Sequence, residues 1–183
     1  MMIDRTVYTT APTDLREERE MRCYRLLDSL NIKYERTDHE ETKKDDSFNE
    51  TEQLLNIKIC KNLFLCNSQK SKFYLLVMRG DKPFKTKDIS KQINSSRLSF
   101  APEEYMVKYL DTYPGSVSIL GLMNDTGNNV TLLVDRDVSS EEYFGCHPCK
   151  NTSSMKIRWK DIEEIFLPYV SHKITFVDIE RPM

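Results

Sequence analysis

The chain has 183 residues, with 27 basic and 29 acidic side chains and a formal charge of −2. That length suits one domain (residues 1–183) with a real core and is short for two ordinary enzyme domains. With 31% charged and 39% hydrophobic residues, the composition is not that of a disordered chain. No stretch reaches the ~20 apolar residues of a membrane helix, and the opening MMIDRTVYTTAPTDLREERE has no apolar core of a secretory signal. The expectation is a cytoplasmic protein with no membrane partner, its five cysteines reduced.

Residues 13–30 read as a helix, with Asp14 and Glu17 as a capping box and Leu15, Cys23, Leu26, Leu27 and Leu30 as a broken apolar stripe. Ile32, Tyr34 and Arg36 alternate with polar neighbours like a short strand. Residues 38–48 are nearly all polar and predict an exposed, mobile loop, with His39 as a loop histidine. Asn49 and Glu52 form a second capping pattern for a short helix through Leu55. The apolar runs Asn62–Cys66 and Phe73–Met78, parted by NSQKSK, predict a hairpin of buried strands.

Helices are predicted over 86–94 and 102–111, and strands over Ser116–Met123 and Asn129–Asp135 around the turn DTGN. A helix over 159–167 and a strand over 173–179 close the chain, with His172 read as a surface residue. Interleaved helices and strands whose central members meet as hairpins predict a mixed α/β (α+β) fold, its sheet largely antiparallel and flanked by helices.

Charge is unevenly spread. Residues 1–56 carry 9 basic and 14 acidic groups, residues 57–97 carry 10 and 2, and residues 98–183 carry 8 and 13. The middle block holds Lys58, Lys61, Lys70, Lys72, Arg79, Lys82, Lys85, Lys87, Lys91 and Arg97, enough for a phosphate-binding face on a chain that is not basic overall. Taken alone, the same residues are also ordinary solvated lysines.

GxxxxGK[ST], GxGxxG, GxSxG and HExxH are all absent, which removes the common nucleotide cradles, serine esterases and zincins. Cys146-His147-Pro148-Cys149 is a C-x-x-C with three readings. A redox dithiol belongs at a strand-to-helix junction, whereas a Ser/Thr-rich, strand-like segment follows here. A zinc site needs two more ligands, and Cys60 with Cys66 is the only obvious pair, spaced wider than usual. The third reading places His147 on a pocket, with the cysteines as its small apolar lining.

Three segments taken together resemble one family. Cys60-Lys61-Asn62-Leu63-Phe64-Leu65 carries its KNLFL strand. Leu98-Ser99-Phe100-Ala101 precedes a helix and is followed by Pro114-Gly115-Ser116-Val117. His147-Pro148-x-x-Asn151-Thr152 comes last. In order and spacing these are similar to the YbaK/ProX family of aminoacyl-tRNA editing domains, over about residues 20–180, and within it to the freestanding deacylases that clear alanine from proline tRNA.

The resemblance implies a hydrolase that needs no cofactor and no metal. Its partner is the acceptor end of tRNA(Pro), with prolyl-tRNA synthetase as a further one. Lys61 would hold the terminal adenosine phosphate or ribose, as a compact cation does well, and Asn62 the aminoacyl ester or α-amine. His147 would line the pocket near the amine or the attacking water, without acting as general base. The backbone N–H groups of Gly115, Ser116 and Val117 would stabilise the oxyanion, and Asn151 and Thr152 would complete the substrate site.

The chain departs from the family at three places. Ile119 stands where the loop usually ends in proline (GSVTP), which leaves loop rigidity open. The early His-Pro pair reads His39-Glu40. Cys146 and Cys149 replace bulkier residues and would change the pocket volume. The alternatives that remain are Cys- or Ser-charged tRNA as substrate, a non-catalytic tRNA-binding module, and a CxxC zinc or redox protein.

Overall fold

The computed structural model describes residues 2–41 and 48–181. Two sheets share the core. The larger runs β4-β2-β3-β5-β8, built from β2 (Cys60–Cys66), β3 (Phe73–Arg79), β4 (Ser99–Phe100), β5 (Val130–Asp135) and β8 (Ile174–Val177). The smaller runs β1-β7-β6, from β1 (Tyr34–Asp38), β6 (Tyr143–Cys146) and β7 (Ser153–Arg158). Its pairings are all antiparallel, as are β2/β3 and β2/β4, while β5 runs parallel to β3 and β8. The mixed, largely antiparallel expectation is met.

The predicted β2/β3 hairpin forms in full register from Cys60↔Arg79 to Cys66↔Phe73. Every β3 residue from Phe73 to Met78 is buried, as a strand covered on both faces requires. Helices α1 (Glu18–Ser29) and α4 (Glu103–Leu110) pack on the main apolar cluster, which Phe64, Leu75, Phe144 and Phe166 help to fill. A smaller cluster around Leu65, Leu76, Met78 and Leu98 covers the other face, under α3 (Thr86–Gln92). Short helices α2 (Asn49–Leu55) and α5 (Arg136–Ser139) fill connections. Residues 159–169 form α6, whose middle, Ile162–Phe166, is a π turn.

The sheets are stitched where β6 meets the lead-in to β2. Gly145 donates its N–H to Lys58 O at 3.1 Å and bridges Ile59 in parallel. A Cβ there would stand 2.6 Å from Ile59 Cδ1 and 3.1 Å from Ile59 Cα, so only glycine permits this approach. The stitch brings the start of β2 beside the β6–β7 turn.

Several expectations are corrected. Ser116–Met123 is not a strand: Ile119–Asn124 is a 3₁₀ helix that Ser118 opens by accepting the Leu120 N–H at 3.2 Å. The run is apolar on every side, and Ile119–Leu122 are all buried, so its pattern cannot separate a strand from a buried turn of helix. Strand β5 therefore has no hairpin mate and lies between β3 and β8.

Helix α1 starts at Glu18 with no side-chain cap, because Asp14 binds Arg16 instead. Most of the predicted 38–48 loop lies outside the described residues, but its first residues are structured. His39 is buried, its N–H on Thr152 O at 3.0 Å. His172 is buried too, with Nε2 3.0 Å from Asp125 Oδ2. No helix among the described residues is long and apolar enough to cross a membrane.

Candidate active site

Where β2 begins, side chains alternate. Cys60, Asn62 and Phe64 take one face, and Lys61 takes the other, exposed. The Lys61 ammonium donates to Lys82 O at 3.2 Å and makes no ion pair among the described residues. Lys82 is itself buried, its Nζ 2.9 Å from Asp135 and 3.0 Å from Asp137. The carbonyl that receives Lys61 therefore sits on a turn clamped by a buried ion pair.

Asn62 is bound at both ends of its amide. Its Nδ2 donates to Cys60 O at 3.3 Å, and its Oδ1 accepts the Ile119 N–H at 3.1 Å. A proline at 119 would have no N–H to give. The departure from the family's loop sequence thus supplies the bond that fastens this loop to β2.

The loop before Ile119 turns at Gly115, whose φ of +87° suits glycine, and a Cβ there would stand 3.4 Å from Asn151 Nδ2. The Ser116 N–H is committed to Tyr113 O at 3.0 Å, so it is unavailable as an oxyanion donor, contrary to expectation. Among the described residues, the N–H groups of Gly115 and Val117 have no acceptor.

The opposite wall is the β6–β7 turn. Buried His147 donates Nδ1–H to Ser153 O at 2.7 Å, which leaves Nε2 as an unprotonated acceptor. Burial pushes its pKa down to about 4, the nearby His39 ring pushes the same way, and the bond to Ser153 opposes this without reversing it. The Phe48 ring lies 5.5 Å from it, centroid to centroid.

Behind the turn stands a polar network that sequence reasoning missed. Ser153 Oγ donates to Asp38 Oδ1 at 2.6 Å across the β1/β7 ladder. Arg16 reaches Asp38 at 2.7 Å, Glu20 at 2.9 Å and Ser153 at 3.0 Å, and Arg36 reaches Asp38 at 2.7 Å. Burial pushes the Asp38 carboxyl up, but the bonds from Arg16, Ser153 and Arg36 outweigh it and hold the pKa at about 2. His39 donates Nδ1–H to Glu40 O at 2.8 Å and accepts at Nε2 from Ser154 at 2.9 Å. These contacts link residues up to 137 positions apart. The available signal was an alternating Arg36-x-Asp38 on a strand, which names no partner.

Between the walls lies a cleft of about 890 Å³. Lys61, Asn62, Gly115, Val117, His147 and Asn151 all line it. Ser116 and Thr152 do not. Ser116 is buried beside the loop, and Thr152 lines a separate depression with Arg16 and Lys150. Cys60 lines the cleft, whereas Cys146 and Cys149 are buried and do not line it, so the volume effect expected of that pair is not seen.

All five cysteines are free and buried. Burial pushes the Cys60 thiol up to about 12, and raises Cys146 and Cys23 as well, which makes poor thiolates for redox chemistry. Cys60 and Cys66 occupy opposite ends of β2, six strand residues or about 20 Å apart. They cannot both ligate one ion with Cys146. Among the described residues, no group of three or more His, Cys, Asp or Glu is placed to hold a metal ion.

A cleft with an ammonium that makes no ion pair on one wall, backbone N–H groups without an acceptor on a glycine loop, both among the described residues, and a neutral imidazole opposite suits an ester attached to a phosphate-bearing carrier. Comparison with known proteins gives that class a name. Residues 39–165 match the aminoacyl-tRNA editing domain. The prolyl-tRNA editing protein ProX of Acetoanaerobium sticklandii is 30% identical over 140 residues, covering 76% of this chain and 85% of its own. The prolyl-tRNA synthetase associated domain-containing protein 1 of Danio rerio is 30% identical over 154 residues, covering 83% and 81%. Among solved structures, a candidate trans-editing enzyme for prolyl-tRNA synthetase superposes with a TM-score of 0.66 at 12% identity, over 92% of this chain and all of that one. The chain belongs to the YbaK/ProX family of aminoacyl-tRNA editing domains, and is an enzyme of the aminoacyl-tRNA deacylase class.

Proposed function

We propose that the whole chain acts as one trans-editing hydrolase that removes alanine mischarged on tRNA(Pro), in partnership with prolyl-tRNA synthetase. The observation that carries this reading is the meeting in one cleft of the Lys61 ammonium, without an ion pair among the described residues, the N–H groups of Gly115 and Val117, without an acceptor among them, and the neutral His147.

In this reading Lys61 holds the phosphate or ribose of the terminal adenosine. The ester carbonyl points at the Gly115 and Val117 N–H groups, and His147 Nε2 accepts from the α-amine or the water. Water adds to the carbonyl carbon and the resulting oxyanion is stabilised by those N–H groups. The bond to the ribose oxygen then breaks, that oxygen takes a proton, and free alanine and tRNA leave. With its pKa near 4, His147 is too weak a base to activate water at neutral pH, so a ribose hydroxyl of the substrate orients the nucleophile. Asn62 acts by holding the loop to β2.

The need for such an enzyme follows from pocket energetics. A synthetase site that admits proline gains only ~1–3 kcal/mol against a side chain smaller by a methylene or two. A second site that excludes proline by size completes the discrimination.

The test is release of labelled alanine from Ala-tRNA(Pro), beside Pro-tRNA(Pro), Cys-tRNA(Pro) and Ala-tRNA(Ala), with EDTA present. Rapid loss of alanine from Ala-tRNA(Pro) alone supports the proposal. Preferential release of cysteine moves the specificity, and no release from any of the four overturns it.

A further inference from the structure

We propose that Phe84 and Phe100 form a stacking platform for an unpaired base of an RNA 3′ end, on the sheet face that leads out of the cleft. This deepens the function proposed above and rests on it for the identity of the RNA. Phe100 is 60% exposed, which is unusual for a phenylalanine on a strand facing solvent. Its ring lies 6.0 Å from that of Phe84 at 59°.

Both rings connect to the cleft. Lys61, Leu63 and Leu65 alternate onto one face of β2, and Phe100 stands opposite Leu65 in the β2/β4 ladder. Leu63 lines the cleft and packs with Phe84 around the smaller apolar cluster. From Lys61 to Leu65 is four strand residues, about 13 Å. That is a span of a few nucleotides, so a strand whose last residue is held at Lys61 reaches the platform with an upstream base.

Charge favours the same occupant. Lys85 and Lys87 follow Phe84, Arg97 precedes Phe100, and Lys91 lies on the helix between them; all four are exposed. Among the described residues none of the four makes an ion pair, unlike Lys58, Arg79 and Lys82 of the same basic block. The acidic side chains nearby are Asp81, tied to Arg79 at 2.8 Å, Asp88, and Glu103–Glu104 at the start of α4. Asp178 and Glu180 join them, lining a depression with Phe84, Lys85 and Lys91, and Asp178 is paired with Arg136 at 3.3 Å. Aromatic faces beside free cations suit single-stranded RNA: bases stack without sequence preference while the cations meet phosphates.

The test is the affinity of a fluorescent single-stranded RNA ending in ACCA-3′ for the wild-type chain, Phe100→Ala and Phe100→Trp, read by anisotropy at fixed salt. The platform predicts about tenfold weaker binding for Phe100→Ala, near the lower part of what one base–aromatic stack supplies, and affinity restored in Phe100→Trp. Steady-state deacylation of full aminoacyl-tRNA should show the same rise in KM. Equal RNA affinity in all three chains overturns the platform and leaves the face to a protein partner. If the wild-type chain releases no amino acid from any aminoacyl-tRNA yet binds the RNA through Phe100, the deacylase reading fails and the platform stands.

Discussion

The β2 wall of the cleft ends in a side chain with one neighbour, Lys61 on the Lys82 carbonyl, whereas the β6–β7 wall ends in groups held from behind at several points. His147 hangs on the Ser153 carbonyl, Ser153 on Asp38, and Asp38 on two arginines. In the proposed function the two walls meet different physical demands. A phosphate is found by a compact charge on a flexible stem, which loses little by remaining solvated until the substrate arrives. An ester must be oriented to a fraction of an ångström, and the groups that do this need their rotamers locked in advance. One wall should therefore be mutable without cost to the fold, and the other should not.

Arg16→Met tests the rigid wall and carries the largest expected effect. It leaves Glu20, which is almost fully buried, and part of Asp38 without their main cation, and removing one member of such a network costs about 3 kcal/mol. Urea unfolding should show that loss, with reduced turnover as a consequence. Stability within 0.5 kcal/mol of wild type, an approximate bound for surface changes, would mean the network does not anchor the turn.

Lys61→Ala tests the other wall. Deacylation should fall about 100-fold, comparable with losing a well-placed electrostatic contact, while the unfolding midpoint stays put. Wild-type turnover in a folded Lys61→Ala chain would remove Lys61 from the site.

Acid should separate the walls again. The pKa of His147 is lowered on folding, from about 6.5 in the unfolded chain to about 4. The unfolded state therefore binds more protons between these values, and stability is full above pH 6.5 and falls as pH drops toward 4. Asp38, held at about 2 against an unfolded value of about 3.9, adds a second loss below pH 4. Unfolding midpoints measured from pH 7 to pH 2.5 should decline through both windows, and His147→Gln should reduce the first to the part that His39 contributes, its pKa also lowered by burial. Because His147 is already neutral at pH 5, kcat should show no histidine inflection between pH 5 and 8. An inflection near pH 6.5 that His147→Gln removes would make it a general base, against the proposed mechanism.

The β2/β3 hairpin was legible because two apolar runs flank a polar turn, a contrast visible within twenty residues. The cleft's lining was legible through short motifs, which named Lys61, Asn62, Gly115, Val117, His147 and Asn151, all of which line it. What stayed hidden depends on distant pairing. His39 reads as a loop residue until β1 lies against β7, and Arg16 draws no notice until Asp38 and Ser153 arrive beside it. Ser116 and Thr152 were misplaced for a smaller reason. Each neighbours a true lining residue, and a shift of one position along a turn or strand changes the face a side chain occupies.

The bond between Ile119 N–H and Asn62 Oδ1 offers the finest test, because it can be cut from either end. Asn62→Ala removes the acceptor. Ile119→Pro removes the donor, at a first helical position that accepts proline and after Ser118, whose extended backbone is compatible with it. If Asn62 serves by fastening the loop, each variant should lose several-fold in kcat. The double variant should lose little more than either single one, with a coupling of about 1 kcal/mol in the cycle. Ile119→Pro also gives up part of a buried side chain, so its stability should fall further than that of Asn62→Ala, and activities are compared at a temperature where both remain folded. If Asn62 instead touches the substrate, Ile119→Pro keeps its turnover while Asn62→Ala does not, and the two losses no longer couple. Asn62 would then join Lys61 on the wall that acts directly, and the loop would owe its position to the Ser116 turn and the packing of Val117 and Ile119.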